Sequence, residues 1–163
     1  MLENIKAHSI MVERVASLIA MEIKKTGADI SMAIVTAGAL LHDIGKTPCL
    51  NTGEDHAAMG SRICIENDLA GIAGIVREHV ILEGFDPEGN VNEKEIIYYA
   101  DKRVNHDKLV SLDERLEYLL IRYAKGNKRV GHQIEENFKQ CREVEKKIFS
   151  LLWFRPEDIV DMI

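Results

Sequence analysis

The chain has 163 residues, 46% of them hydrophobic and 29% charged, with a formal net charge of -6. That length suits one compact domain, and that balance excludes a disordered chain. No run approaches the ~20 apolar residues of a membrane span, and the acid excess excludes a generally basic nucleic-acid binder.

Helical spacing recurs along the whole chain, and alternating apolar/polar runs are absent. The first helix is predicted over roughly 4–25, closed by Lys24, Lys25 and Gly27. The segment before and within it, MLENIKAHSIMVERV, lacks a basic region followed by an apolar core. No secretory signal is read there, and a cytoplasmic location is expected. A second helix is predicted from about Asp29 to Asp43, ended by Gly45 and Pro48. Thr52-Gly53-Glu54-Asp55 resembles a capping box, opening a third helix to about Asn67. A fourth covers roughly 69–83, and GFDPEGNVN reads as a loop. Asn92 with Glu95 starts a fifth, to about Asn105. Ser111 with Glu114 starts a sixth, ending near Gly126-Asn127. A long polar helix follows over about 129–152, and Pro156 suits the first turn of a short last one. The fold class is therefore all-α, one domain.

Charge is uneven. Residues 1–101 hold 8 Lys/Arg against 16 Asp/Glu, net -8; residues 102–149 hold 12 against 8, net +4. The acidic part would attract cations. Cys49, Cys64 and Cys141 are odd in number, far apart and outside any CxxC pattern, so reduced thiols are expected.

His8 shares a helix face with Met11, Val12, Val15, Leu18 and Ile19. His42 and Asp43 end the apolar run of the second helix. His56 lines up with Met59, Gly60 and Ile63; His79 follows Ile72, Ile75 and Val76; Asp101 lies beside Ala100 on the face of Ile97 and Val104. Five helices thus each turn a His or an Asp inward. One such histidine reads as a hydrogen-bonded core residue. Asp is almost never buried without a partner, and five coincident cases call for a shared cation. His106 and His132 fall in polar surroundings and are expected at the surface.

The ordered set His8, His42-Asp43, Asp101, with HDIGK at 42–46 and the approach GALLHDIGK, resembles the H…HD…D signature of the HD-domain metal-dependent phosphohydrolases. The likeness covers about residues 5–105 and includes YYADKRVN around Asp101. It implies an HD-type helical bundle, with five core helices as the metal-binding core over 1–110; the helices over 111–163 match no pattern of that family and are read as a C-terminal extension packed on the same domain. It implies that His8, His42, Asp43 and Asp101 bind one divalent metal. His56 and His79 stand where two-metal members carry further histidines, so two ions bridged by Asp43 are expected. Iron or manganese is favoured, with zinc, nickel and magnesium as alternatives. The GYP segment of the cyclic-dinucleotide phosphodiesterases is missing, which argues against that substrate.

The expected function is cleavage of a phosphate ester or anhydride, of a nucleotide or another small molecule, by a metal-activated water. Asp43 and Lys46 are the catalytic candidates. Lys46, three residues on, either meets a phosphoryl oxygen or complements the helix dipole. Lys102 and Arg103 are candidates for binding substrate, since one of them should turn toward the site entrance. The alternatives are a di-iron oxygenase on the same ligands and a non-catalytic signalling module; the full ligand set argues against the latter. A homodimer is a further expectation, with Trp153 packing the tail on the core or on a second subunit. Nucleic acid is disfavoured as a partner by the net charge and the lack of an aromatic stacking surface.

Overall fold

The computed structural model describes residues 1–163. Seven α-helices carry the fold: α1 (Glu3–Lys25), α2 (Met32–Leu41), α3 (His56–Glu66), α4 (Ala70–Glu78), α5 (Glu93–Lys102), α6 (Leu112–Leu119) and α7 (Lys128–Phe149). A π-helical turn (Leu120–Ala124) extends α6, and a 3-10 turn (Pro156–Asp161) ends the chain. Two short antiparallel strands, β1 (Val104–Asn105) and β2 (Lys108–Leu109), pair Val104 with Leu109. No helix is long and apolar enough to cross a membrane.

Several boundaries differ from the sequence-based expectation, each for a local reason. Helix α3 starts at His56, because the Asp55 carboxylate, not Thr52, accepts from the Ala57 and Ala58 amides. Helix α2 begins after Ser31, whose hydroxyl accepts from Ile34 N, and stops at Leu41. Helix α5 ends at Lys102, since Arg103 N folds back onto Tyr99 O and Ala100 O and the chain turns into β1. The Ser111/Glu114 capping box at the start of α6 forms as read.

The core is built around α5. Every side chain from Glu95 to Lys102 is buried, because α1, α2, α4 and α7 all pack on this helix. Val12, Val15, Ala16 and Ile19 of α1 join Ile96 and Ile97 of α5 and Phe138, Cys141, Val144 and Ile148 of α7 in one continuous apolar cluster. Removing such side chains from water contributes about 1.5–3 kcal/mol each for the larger ones. A second, smaller cluster of Cys64, Ile72, Ala73 and Val76 lies between α3 and α4, against Ile34, Ala37, Leu41 and Ile44.

Candidate metal centre

Helix ends converge on one point. His42 follows the last residue of α2, His79 follows the last residue of α4, and Asp101 lies in the final turn of α5. The carbonyl ends of these three helices give the region negative potential, which favours a cation. His8 enters from the middle of α1, and His56 is the first residue of α3.

His56 reaches the cluster because two glycines let the backbones touch. A Cβ on Gly45 would lie 2.1 Å from His56 O and 2.6 Å from Gly60 N, and one on Gly60 would lie 3.3 Å from Gly45 N. Any side chain at 45 would push α3 away from the turn that follows α2.

Five donors then come together around Asp43. On one side His42 Nε2 is 3.3 Å and His8 Nε2 3.8 Å from Asp43 Oδ2. Asp101 Oδ1 lies 3.0 Å from His8 Nε2 and 3.6 Å from His42 Nε2. On the other side His79 Nε2 is 3.2 Å and His56 Nε2 3.6 Å from Asp43 Oδ1. Asp43 therefore stands between a set with His8 and His42 and a set with His56 and His79.

The imidazoles are aimed from behind. His8 Nδ1 donates to His106 O at 2.8 Å, His42 Nδ1 to Ala39 O at 2.7 Å, and His79 Nδ1 to Val76 O at 2.7 Å. Each bond selects the tautomer whose Nε2 lone pair points inward. His106 itself is exposed, as expected, but its carbonyl is part of the site. It is held by a left-handed backbone at φ 56° in the β1–β2 turn. Side-chain patterns carry no signal for a backbone acceptor, and sequence reading missed it.

These donors fit a metal. His42 Nε2 and Asp43 Oδ1 are buried without a hydrogen-bond partner, a costly arrangement unless a cation satisfies them; Asp43 Oδ2 has the Lys46 ammonium. His56 Nε2 and His79 Nε2 face each other at 3.2 Å, which two lone pairs tolerate only with a proton or a cation between them. Burial opposes charge on His42, yet Asp43 first, then Asp101, raise its pKa to about 10. Burial, reinforced by His79, pushes His56 down to about 4, and burial also lowers His79. Burial works against both carboxylates, but His42 holds Asp43, and Lys102 with His42 holds Asp101, well below the usual range. The centre is two buried carboxylates demanding positive charge beside two neutral imidazoles. Its ligands are nitrogen and oxygen, matching iron, manganese, zinc or nickel better than a thiolate-seeking ion.

The three basic candidates part company. Lys46 Nζ lies 2.6 Å from Asp43 Oδ2 as an ion pair. Its side chain is 37% exposed, and that of His56 28%, while Asp43 is closed off. Solvent therefore reaches the centre past Lys46 and His56. Lys102 does not turn toward that entrance: it is buried, donating to His79 O and, at 3.1 Å, to Asp101 Oδ2. Arg103 faces away altogether, donating to Tyr99 Oη at 2.5 Å, Val110 O at 2.7 Å and Pro156 O at 3.1 Å. Contrary to expectation, neither side chain turns toward the entrance: both are buried, Arg103 beneath the C-terminal turn and beside Glu145 of α7. A surface cavity of about 640 Å³ contains none of the six converging side chains. The one buried cation lining it, Lys147, is spent on Asp86 O, Asn90 O and Glu95.

Comparison with known proteins agrees with this layout. The family model described as HD domain matches residues 5–105. An uncharacterized protein of Methanocaldococcus jannaschii, MJ0778, is 30% identical over 138 residues, covering 77% of this chain and 80% of that protein. A tRNA (cytidine(56)-2'-O)-methyltransferase of Thermoplasma volcanium is 38% identical over 104 residues, 56% of this chain but only 30% of that enzyme. No solved structure matches the chain. The matched segment holds all six converging side chains, and the chain belongs to the HD-domain superfamily of metal-dependent phosphohydrolases.

Proposed function

We propose that this chain hydrolyses a phosphate ester or anhydride of a nucleotide or another small molecule, using two divalent ions, iron or manganese in preference to zinc, nickel or magnesium. The observation that carries the reading is Asp43, buried, with one oxygen toward each histidine pair, Oδ2 meeting the Lys46 ammonium and Oδ1 left without a hydrogen bond. His8, His42, Asp43 and Asp101 would hold one ion; Asp43, His56 and His79 the other. Bound there, such ions supply Lewis acidity toward phosphoryl oxygens and lower the pKa of water.

The chain's own groups supply the rest. Asp43 orients the attacking water from the floor of the site. The Lys46 ammonium, at the solvent side, meets a phosphoryl oxygen and neutralises charge as the bond breaks. Buried walls limit competing water, and the entrance past Lys46 and His56 admits a phosphate group.

The test is a phosphate-release screen over nucleotides and small phosphate esters with metal-loaded protein, Asp43→Ala as control and oxygen uptake recorded in parallel. A terminally phosphorylated RNA is included, because one relative is by name a tRNA-modifying enzyme. Phosphate release lost in Asp43→Ala is the expected result. Full activity in that variant, or oxygen uptake with no phosphate released, refutes the reading.

A further inference from the structure

Lys102 is the anomaly of the molecule, because a lysine is almost never buried without a dedicated partner. Its ammonium donates to Asp101 Oδ2 on one side of the centre and to the carbonyl of His79 on the other. It also sits 4.3 Å above the Tyr98 ring, a contact worth more when desolvated. Tyr98 is buried in turn, and its hydroxyl donates to Asn137 of α7, 2.7 Å from Oδ1 and 2.8 Å from the backbone oxygen. Asn137 Nδ2 closes the loop by donating to Val80 O at 2.9 Å, one residue past His79. Gln140, one turn along α7, pins Leu82 O at 3.2 Å.

We infer that Lys102 is a positioning residue that fixes Asp101 and His79 relative to one another, and that α7 locks it in place through Tyr98 and Asn137. Asp101 serves the ion held with His8 and His42, whereas His79 serves the other. One buried ammonium thus sets the geometry of both halves. By occupying Asp101 Oδ2 it leaves Oδ1 as the free donor toward the histidines. By holding the His79 backbone, it complements the Val76 carbonyl that orients the His79 ring. The extension beyond residue 110 thereby becomes part of the metal centre without contributing a ligand. The inference rests on the metal-binding half of the proposed function.

The experiment uses the full chain, stripped of metal and titrated with Co²⁺, read by visible absorption and by competition with a chelator. Lys102→Met keeps the length of the stem and removes the charge. Its Co²⁺ dissociation constant is expected to rise about 10–100-fold for at least one ion, the usual cost of losing a ligand's supporting partner, and its absorption bands to change. Lys102→Met that folds, binds within twofold of the parent and shows the same spectrum overturns the inference. Asn137→Ala covers the case in which Lys102→Met does not fold, since Asn137 touches no ligand side chain. It is expected to weaken Co²⁺ binding by about 3–10-fold. A lowered melting temperature with unchanged Co²⁺ affinity in Asn137→Ala overturns the link to α7. If the parent protein binds no Co²⁺, the proposed function falls and takes this inference with it. If the parent binds two ions and both variants bind as well, the inference alone falls.

Discussion

Gly45→Ala is the sharpest perturbation available, because a single methyl group would meet backbone on the far side. The added Cβ would lie 2.1 Å from His56 O, and an ordinary contact begins near 3.4 Å, so the two backbones must part by about 1.3 Å. His42 Nδ1 anchors the turn to Ala39 O, which leaves the first turn of α3 to move. Metal–ligand distances tolerate roughly ±0.2 Å, several times less than that shift. His56 is therefore expected to leave the centre, while His8, His42, Asp43 and Asp101 stay. Elemental analysis should find about one ion per chain where the parent holds about two. Overpacking of this kind costs about 1–3 kcal/mol, which for a chain of this size lowers Tm by roughly 2–12 °C. Turnover should drop by about two orders of magnitude, the scale of an ångström-level misplacement. A Gly45→Ala protein with two ions, parental Tm and parental turnover would refute the claim that the Gly45–Gly60 contact places His56.

Asp55 caps α3 and pairs with Arg77 at 2.7 Å; Asp55→Ala should cost about 1 kcal/mol, or roughly 2–4 °C in Tm, in metal-free protein. Slight burial works against the Asp55 carboxylate, but the Ala58 and Ala57 amides and Arg77 still lower its pKa below 3.8. A depressed carboxylate stabilises the fold fully above its unfolded pKa and loses that effect as pH falls through the folded value. The Tm gap between parent and Asp55→Ala should thus hold constant above about pH 4 and shrink below it; a gap independent of pH would contradict the assignment. Lys46→Met should retain its metal by elemental analysis and turn over about 100-fold more slowly, and an unchanged rate would reduce Lys46 to a helix-end cation. Arg103→Ala should lower stability by roughly 3 kcal/mol, since it strips partners from Tyr99, Val110 and Pro156, and leave KM unchanged; a raised KM would restore its place at the substrate.

The convergence of the six His and Asp side chains was legible because each lies on or just beyond the apolar stripe of a helix, where a polar residue has no bland explanation. Their family pattern fixed the order in which the helices had to meet. What stayed hidden depended on chain segments far away in sequence. Lys102 and Arg103 follow Asp101 in a stretch that reads as a charged helix end. They are buried because α7, some 40 residues later, lies across them, and nothing local announces that cover. The His106 carbonyl was invisible for another reason: a backbone acceptor has no residue type. Helix α3 started three residues later than expected because Asp55 competes with Thr52 for the cap, and a carboxylate accepts two amides where a hydroxyl offers less. The two-residue strands are too short to leave a period.

The apolar interior is divided into two clusters. His56 and His79 ride on the α3–α4 hairpin, whose small cluster of Cys64, Ile72, Ala73 and Val76 is separate from the main core under His8 and Asp101. A hairpin held by so few buried side chains opens at lower free energy than the body it docks on. An ion held between its two histidines and Asp43, as proposed, would act as a staple across that seam, adding its binding free energy to the weaker unit. Amide hydrogens of α3 and α4 should exchange fastest of the core helices in chelated protein and slow selectively when metal is restored. The amides of α5, enclosed by four helices, should exchange only with global unfolding in either state.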